Sequence, residues 1–158
     1  MAEDQPAWLA RLSELGLQLP AVAKPVAAYV PAVAHRGLVH VSGQLPSAGG
    51  QVLHRGRVGA GVSIEEGQVA ARLCALNALA AACAAVPGGA GAITSVLKVE
   101  GFVQCGPDFH DQPKVINGAS ELFGALFPGT GHARVAVGAV ALPLDAAVEV
   151  AVTFVVGG

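Results

Sequence analysis

The segment from Ser63 to Val86 constrains the fold most, because it is long, rich in alanine and nearly free of charge after its first turn. Ser63 followed by Glu66 is a capping box, which predicts that a helix begins at Ile64. Pro87-Gly88-Gly89 predicts where it ends. Larger apolar residues recur on one predicted stripe of this helix: Val69, Leu73, Leu76, Leu79 and Cys83. Such a helix belongs either in a protein core or in a membrane.

A membrane-spanning helix needs ~20 predominantly apolar residues in a row. The best candidate, residues 69–86, is interrupted by Arg72 and Asn77 and consists mostly of alanine, so we expect a core helix. Ala2-Glu3-Asp4 is acidic, and no secretory leader is predicted. The length of 158 residues fits one domain, and the hydrophobic share of 53% is high for a soluble protein. We expect an oligomer interface to bury the excess.

The remaining patterns predict an α+β fold. Residues 1–24 form a predicted N-terminal helical appendage, and residues 25–158 form a single domain. Strands are predicted over residues 27–34, 38–42, 93–105, 133–142 and 146–156, and a second long helix follows Asp111-Gln112. The order β-β-α-β-α-β-β predicts a mixed sheet with both main helices packed on one face. In the last strand, Val148, Val150, Val152 and Phe154 are expected to face the helices. The alternate residues leave a small-residue face for another subunit.

Charge and cysteine content narrow the function classes. The net charge is −2, and His54 to Arg57 is the only basic cluster, which argues against nucleic acid as a partner. Cys74, Cys83 and Cys105 cannot all be paired, which predicts reduced thiols and a cytoplasmic protein. The five histidines show no H-E-x-x-H pattern and the cysteines no paired spacing, so no metal site is predicted.

Arg134 is the strongest candidate for a binding residue, because its predicted strand is otherwise free of charge. A guanidinium in such surroundings needs an anionic partner, and its planar fork suits a carboxylate. Two interpretations stay open: a bound carboxylate ligand, or an ion pair within the protein with Glu149, Asp145 or Glu100.

Glu149 is similarly isolated in the last strand. If the last two strands pair about Pro143-Leu144, Arg134 faces Thr153. The two charged residues then share one sheet face, ~13 Å apart. They could flank one pocket or meet across a subunit boundary.

Several segments together carry a family resemblance. They are Val41-Ser42-Gly43-Gln44-Leu45-Pro46, the helix with Gln68 and Asn77, Val115-Ile116-Asn117, His132-Ala133-Arg134, and Leu142-Pro143 through Val148-Glu149-Val150. In this order, from about Tyr29 to Phe154, the chain resembles the Rid/YjgF family of reactive-intermediate deaminases, also described as endoribonuclease L-PSP. The N-terminal helix and the long middle loop resemble a longer, less characterised branch.

The resemblance implies a chorismate-mutase-like fold, a homotrimer, and pockets at the subunit interfaces. It implies hydrolysis of small carboxylate-bearing enamines or imines, such as 2-aminoacrylate or 2-iminobutanoate, to 2-keto acids and ammonia, without a cofactor. By position, Arg134 clamps the substrate carboxylate and Glu149 holds the attacking water. The implied substrate-binding residues are Tyr29, Ser42, Gly43, Asn117, His132, Val135 and Ala136.

Two departures from the deaminase pattern flank the arginine. Ala136 stands where that branch usually has cysteine, and His132 stands where the family has proline. Two other functions therefore stay open: a non-catalytic carboxylate-binding trimer, and the endoribonuclease of the family's older description. The acidic balance of the chain argues against the second.

Overall fold

The computed structural model describes residues 5–25 and 27–157. Its helices are α1 (Ala7–Glu14), α2 (Ile64–Ala85) and α3 (Gln112–Leu126), and its main strands are β1 (Ala32–His35), β2 (Leu38–Gln44), β3 (Ile93–Gln104), β4 (Ala133–Ala139) and β5 (Val148–Val156). The loop between β2 and α2 contains two short strand pairs, Ser47–Ala48 with Gln51–Val52 and Arg57–Val58 with Gly61–Val62. The predicted order of main elements and the α+β class are confirmed.

The five main strands form one sheet in the order β1-β2-β5-β3-β4. All neighbours are antiparallel except β3 and β4, which run parallel. The expected pairing of the last two strands is therefore wrong: Val99 of β3 lies between Arg134 and Val152. The cause is the β3-α3-β4 crossover, which places β4 beside β3, so that the turn at Pro143–Asp145 must carry the chain across to the other side of β3.

Helix α2 begins as predicted. Ser63 Oγ accepts a hydrogen bond from the Glu66 amide at 3.1 Å, and Glu66 Oε2 accepts one from the Ser63 amide at 2.7 Å. The predicted apolar stripe is partly wrong, since Val69 is 56% exposed while Ala70, Cys74 and most of the other alanines of α2 are buried. Both the sheet and α3 cover α2, and small side chains permit this close approach.

By length and composition α2 could cross a membrane. The interruptions at Arg72 and Asn77 therefore do not exclude a membrane-spanning helix, contrary to the expectation from the sequence. Within the structure, 61% of its most apolar window is buried inside the protein. A core helix of a soluble protein has the same properties.

The core lies between the sheet and the helices. Val148, Val150, Val152 and Phe154 face the helices and are at most 2% exposed, as predicted. Helix α1 closes one end: Trp8 and Leu12 are buried, and Trp8 Nε1 donates to the Ala90 carbonyl at 3.2 Å. The other side of the sheet, which we call the open face, is covered by none of the three helices and carries the exposed Val33, Val135 and Val137.

Candidate functional site

Arg134 lies at the start of the edge strand β4 and points toward α3. Its Nη1 donates to Asn117 Oδ1 at 2.8 Å and to Ser120 Oγ at 3.2 Å. Within the described residues it has no carboxylate partner. The interpretation as an internal ion pair is wrong, since Glu149, Asp145 and Glu100 form no ion pair with Arg134; Glu100 pairs with Lys98, and Asp145 accepts from Gln104.

The two contacts to α3 fix which edge of the guanidinium a ligand can use. Both hydrogens of Nη1 are engaged, whereas Nε and Nη2 make no hydrogen bond to any described residue. These two nitrogens form one edge of the planar fork, with the spacing that a carboxylate accepts bidentately. Arg134 is thus oriented by neutral acceptors, and the edge formed by Nε and Nη2 has no partner among the described residues.

Ser120 links Arg134 to His132. Because its hydroxyl oxygen accepts from the guanidinium, its own hydrogen is free to go to His132 Nε2, 3.0 Å away. This arrangement requires a neutral imidazole. Desolvation, and then the charge of Arg134, lower the pKa of His132 from its ordinary value, in agreement with that requirement. Sequence reasoning missed Ser120, although its position three residues after Asn117 places both on one helix face.

Glu149 projects from β5 on the open face and lies against Gly43 at the end of β2. A Cβ atom at position 43 would overlap the carboxylate, so only glycine allows this approach. The side chain is half-buried, and desolvation raises its pKa from the ordinary value. No described residue forms a hydrogen bond or ion pair with it, so its carboxylate remains available to water or a ligand.

The other predicted site residues lie either near Arg134 or near Glu149. Ser42 Oγ is already bound to the Val30 carbonyl at 2.7 Å, so it positions the segment before β1. Tyr29 is half exposed and lines the same cavity as Gly43. Ala136 shares the α3-facing side of β4 with Arg134, whereas Val135 faces the opposite way, toward the open face.

The site residues thus form two separate groups, one around Arg134 and one around Glu149, which we call half-sites. A single chain does not bring the two half-sites together. Arg134 pairs through Val99 with Val152 on the helix side, while Glu149 is three residues from Val152 and projects from the other side. Strand rise and strand spacing place their backbones roughly 14 Å apart. The predicted common face for Arg134 and Glu149 is therefore wrong, because β3 separates their strands and the alternation puts them on opposite faces.

Metal ligation has no candidate within residues 5–25 and 27–157, where no group of three His, Cys, Asp or Glu side chains converges. The three cysteines are free thiols, and burial raises the pKa of Cys83 to about 11 and that of Cys74 well above its ordinary value. Neither thiol is therefore activated as a nucleophile.

The sequence model of the YjgF/chorismate mutase-like endoribonuclease family matches residues 9–155. The chain belongs to this family. Protein TCP17 of Trypanosoma cruzi is 43% identical over 143 residues, which cover 89% of this chain and 89% of TCP17. Among solved structures, Atu1372 of Agrobacterium tumefaciens, a protein of unknown function, has a TM-score of 0.87 at 41% identity, over 96% of this chain and 93% of its own.

A second solved structure, a protein described as an endoribonuclease from Shewanella oneidensis, has a TM-score of 0.88 at 31% identity. The match covers 94% of this chain and 99% of the other. The family resemblance read from the sequence is thus confirmed, including the chorismate-mutase-like fold.

Proposed function

We propose that this family member hydrolyses carboxylate-bearing imines and enamines to 2-keto acids and ammonia, and that it does so as a homotrimer in the cytoplasm. One observation carries the proposal: Arg134 is oriented by Asn117 and Ser120 with a bidentate edge left open. A guanidinium prepared in this way suits a small substrate carboxylate. The three free thiols support a reducing compartment.

The chemistry asks little of the protein beyond orientation and proton transfer. An enamine first becomes the iminium form by taking a proton on carbon. Water adds to the carbon of the protonated C=N bond while one of its protons passes to Glu149, and a carbinolamine forms. Glu149 gives this proton to the nitrogen and takes the proton of the new hydroxyl group, so that ammonia leaves and the carbonyl of the 2-keto acid remains. A raised pKa suits Glu149 to both steps, because a proton carrier works best with a pKa near the ambient pH.

The separation of the half-sites requires a second copy of the chain. Arg134 and Glu149 lie on opposite faces of one sheet, so a single substrate cannot reach both within one chain. A neighbouring copy packed against the open face would bring its own Arg134 toward Glu149. The exposed Val33, Val135 and Val137 support burial of this face in an assembly.

The family description also names endoribonuclease activity, which is the second candidate. The net charge of −2 gives little attraction to phosphate. RNA cleavage by the purified chain that disappears in Arg134→Met would favour this candidate. Stabilisation by 2-keto acids without any turnover of imines would instead indicate a binding protein.

The test replaces Arg134 by methionine or lysine, with Arg72→Met as the control on an exposed arginine of α2. Hydrogen bonds to charged groups contribute about 1.5–3 kcal/mol each, so we expect kcat/KM for 2-iminobutanoate to fall by roughly 10- to 100-fold or more. The control should match the wild type. Equal decay of the imine with wild type and Arg134→Met would contradict the proposal.

A further inference from the structure

A cavity of about 770 Å³ lies between the strap, which we define as Pro20 to Pro25, and the loop that follows β2. Gly43, the residue against which Glu149 lies, forms part of its wall, as does Tyr29. Its size is within the range of pockets that enclose whole small molecules, ~300–1,000 Å³. A three-carbon imino acid would leave most of this space unfilled.

Buried amides hold two walls of this cavity. In the described residues, the only buried polar or charged side chains are Asn77 and Gln104, which are 5% and 3% exposed. Asn77 Nδ2 donates to the carbonyls of Leu45 and Ser47, both at 3.0 Å, and so fixes the loop after β2. Burial of a polar group is costly unless its hydrogen bonds are made.

Gln104 holds a second wall in the same manner. Its Nε2 donates to Asp145 Oδ1 at 2.7 Å, and its Oε1 accepts from the Leu142 amide at 2.7 Å. The turn between these two contacts places Leu144 at the cavity. Both buried amides therefore hold segments of the chain that line this cavity.

Leu144 adopts a costly conformation at this wall. Its φ of 56° lies in the left-handed region, and its side chain is 61% exposed. Because this leucine side chain does not pack in the core of its own chain, burial does not offset the cost of the backbone conformation. Backbone strain that the surroundings enforce is typical of functional positions.

We propose that this cavity is a subsite for a large apolar substituent of the substrate, branched or aromatic, and that Leu144 contacts this group. The inference rests on the proposed imine hydrolysis and names its substrate class. The lining is mainly apolar, and among its described residues Lys24 alone carries a charge. With the reacting carbon at Glu149, the substituent extends past Gly43 into the cavity. Imines of leucine or phenylalanine type fill it, and the alanine-derived imine does not.

The experiment compares two imines generated in place by an amino-acid oxidase, one from leucine and one from alanine. The full-length chain should process the leucine-derived imine with at least a tenfold higher kcat/KM. Ala48→Trp, which places an indole on the cavity wall, should reduce this preference at least tenfold. Ala10→Trp, on the exposed side of α1, is the matched control and should keep it.

Leu144→Gly is an independent test, because the fold need not accept a larger side chain as it must in Ala48→Trp. Glycine also adopts the left-handed backbone conformation of this position readily. It should lower the preference for the leucine-derived imine without loss of folding. Hydrolysis of both imines with equal rate constants, or with alanine preferred, overturns the subsite and leaves the proposed function standing. No hydrolysis of either imine overturns the proposed function and the subsite together.

Discussion

Among the described residues, neither Arg134 nor Glu149 lies beside an opposite charge that would balance it. Arg134 is exposed and bound only to the neutral acceptors Asn117 and Ser120. Glu149 is half-buried against Gly43, and its pKa is raised by desolvation with no described cation beside it. An exposed guanidinium and a carboxyl with a raised pKa, neither beside a described opposite charge, are typical of a functional site.

The partial burial of the Glu149 carboxyl has a consequence for stability. A carboxyl with a raised pKa in the fold binds its proton more tightly there than in the unfolded chain. Its contribution to stability is therefore full at low pH and is lost as the pH rises through the folded-state pKa. Glu149→Gln removes the charge, so we expect a higher melting temperature than wild type at pH 7 and a much smaller difference at pH 4.

The same variant should be inactive toward imines, since an amide cannot carry the proton. The wild-type rate should fall on the acid side at a pH above 4.5, the ordinary glutamate pKa. Melting curves at two pH values and a pH–rate profile check both statements. A variant that is less stable than wild type at pH 7 would show that the carboxylate is held by favourable contacts.

Residue identities were the most predictable part of the site. The isolation of Arg134 in an uncharged strand made it the first candidate, and the structure places Asn117 in contact with it. The binding edge could not be predicted, because it depends on the distance from Nη1 to Ser120 across β4 and α3. The role of Gly43 also depends on a contact between strands that local sequence does not encode.

At the scale of elements, Gly118 allows the backbones of α2 and α3 to approach closely. Gly118 is buried in the middle of α3, and a Cβ atom there would overlap the backbone of Gln68 in α2. Gly124 lies in the same helix but faces open space, with no atom within 4 Å of the corresponding position. The two positions thus form a matched pair.

We expect opposite results when each is changed to alanine. Gly124→Ala should stabilise the protein by about 0.5–1 kcal/mol, because alanine is the better helix former. Gly118→Ala should destabilise it by ~1–3 kcal/mol or more, because the helices must separate. Urea unfolding measures both. Stabilisation by both substitutions would mean that the helices are not as close as the structure has them.

Helix starts were predictable because their signals are local, whereas the start of β1, expected at residue 27 and found at Ala32, and the strand order were not. The capping box at Ser63 and the proline at position 113 fixed the helix starts within a residue. The Pro143-Leu144-Asp145 turn looked like a hairpin, yet it joins strands that do not pair. Only the long-range fit of β3 between β4 and β5 decides this, and no local pattern reports it.

At the scale of the whole molecule, each face of the sheet carries one of the two half-sites. One face is covered by α2 and α3, and Arg134 lies at its edge. The other is the open face and carries Glu149. A ring of copies in which each contributes its arginine to the next one's glutamate uses both half-sites, and a ring of three is the proposed assembly.

Mixing two impaired variants tests this claim most directly. Arg134→Met and Glu149→Gln should each retain at most about a tenth of the wild-type activity alone, and each should keep the wild-type mass in solution. Unfolded and refolded together in equal amounts, they should recover about one quarter of the wild-type imine hydrolysis, because one interface in four combines an intact arginine with an intact glutamate. If the mixed assembly forms and gains no activity, both residues act within one chain and the account is contradicted.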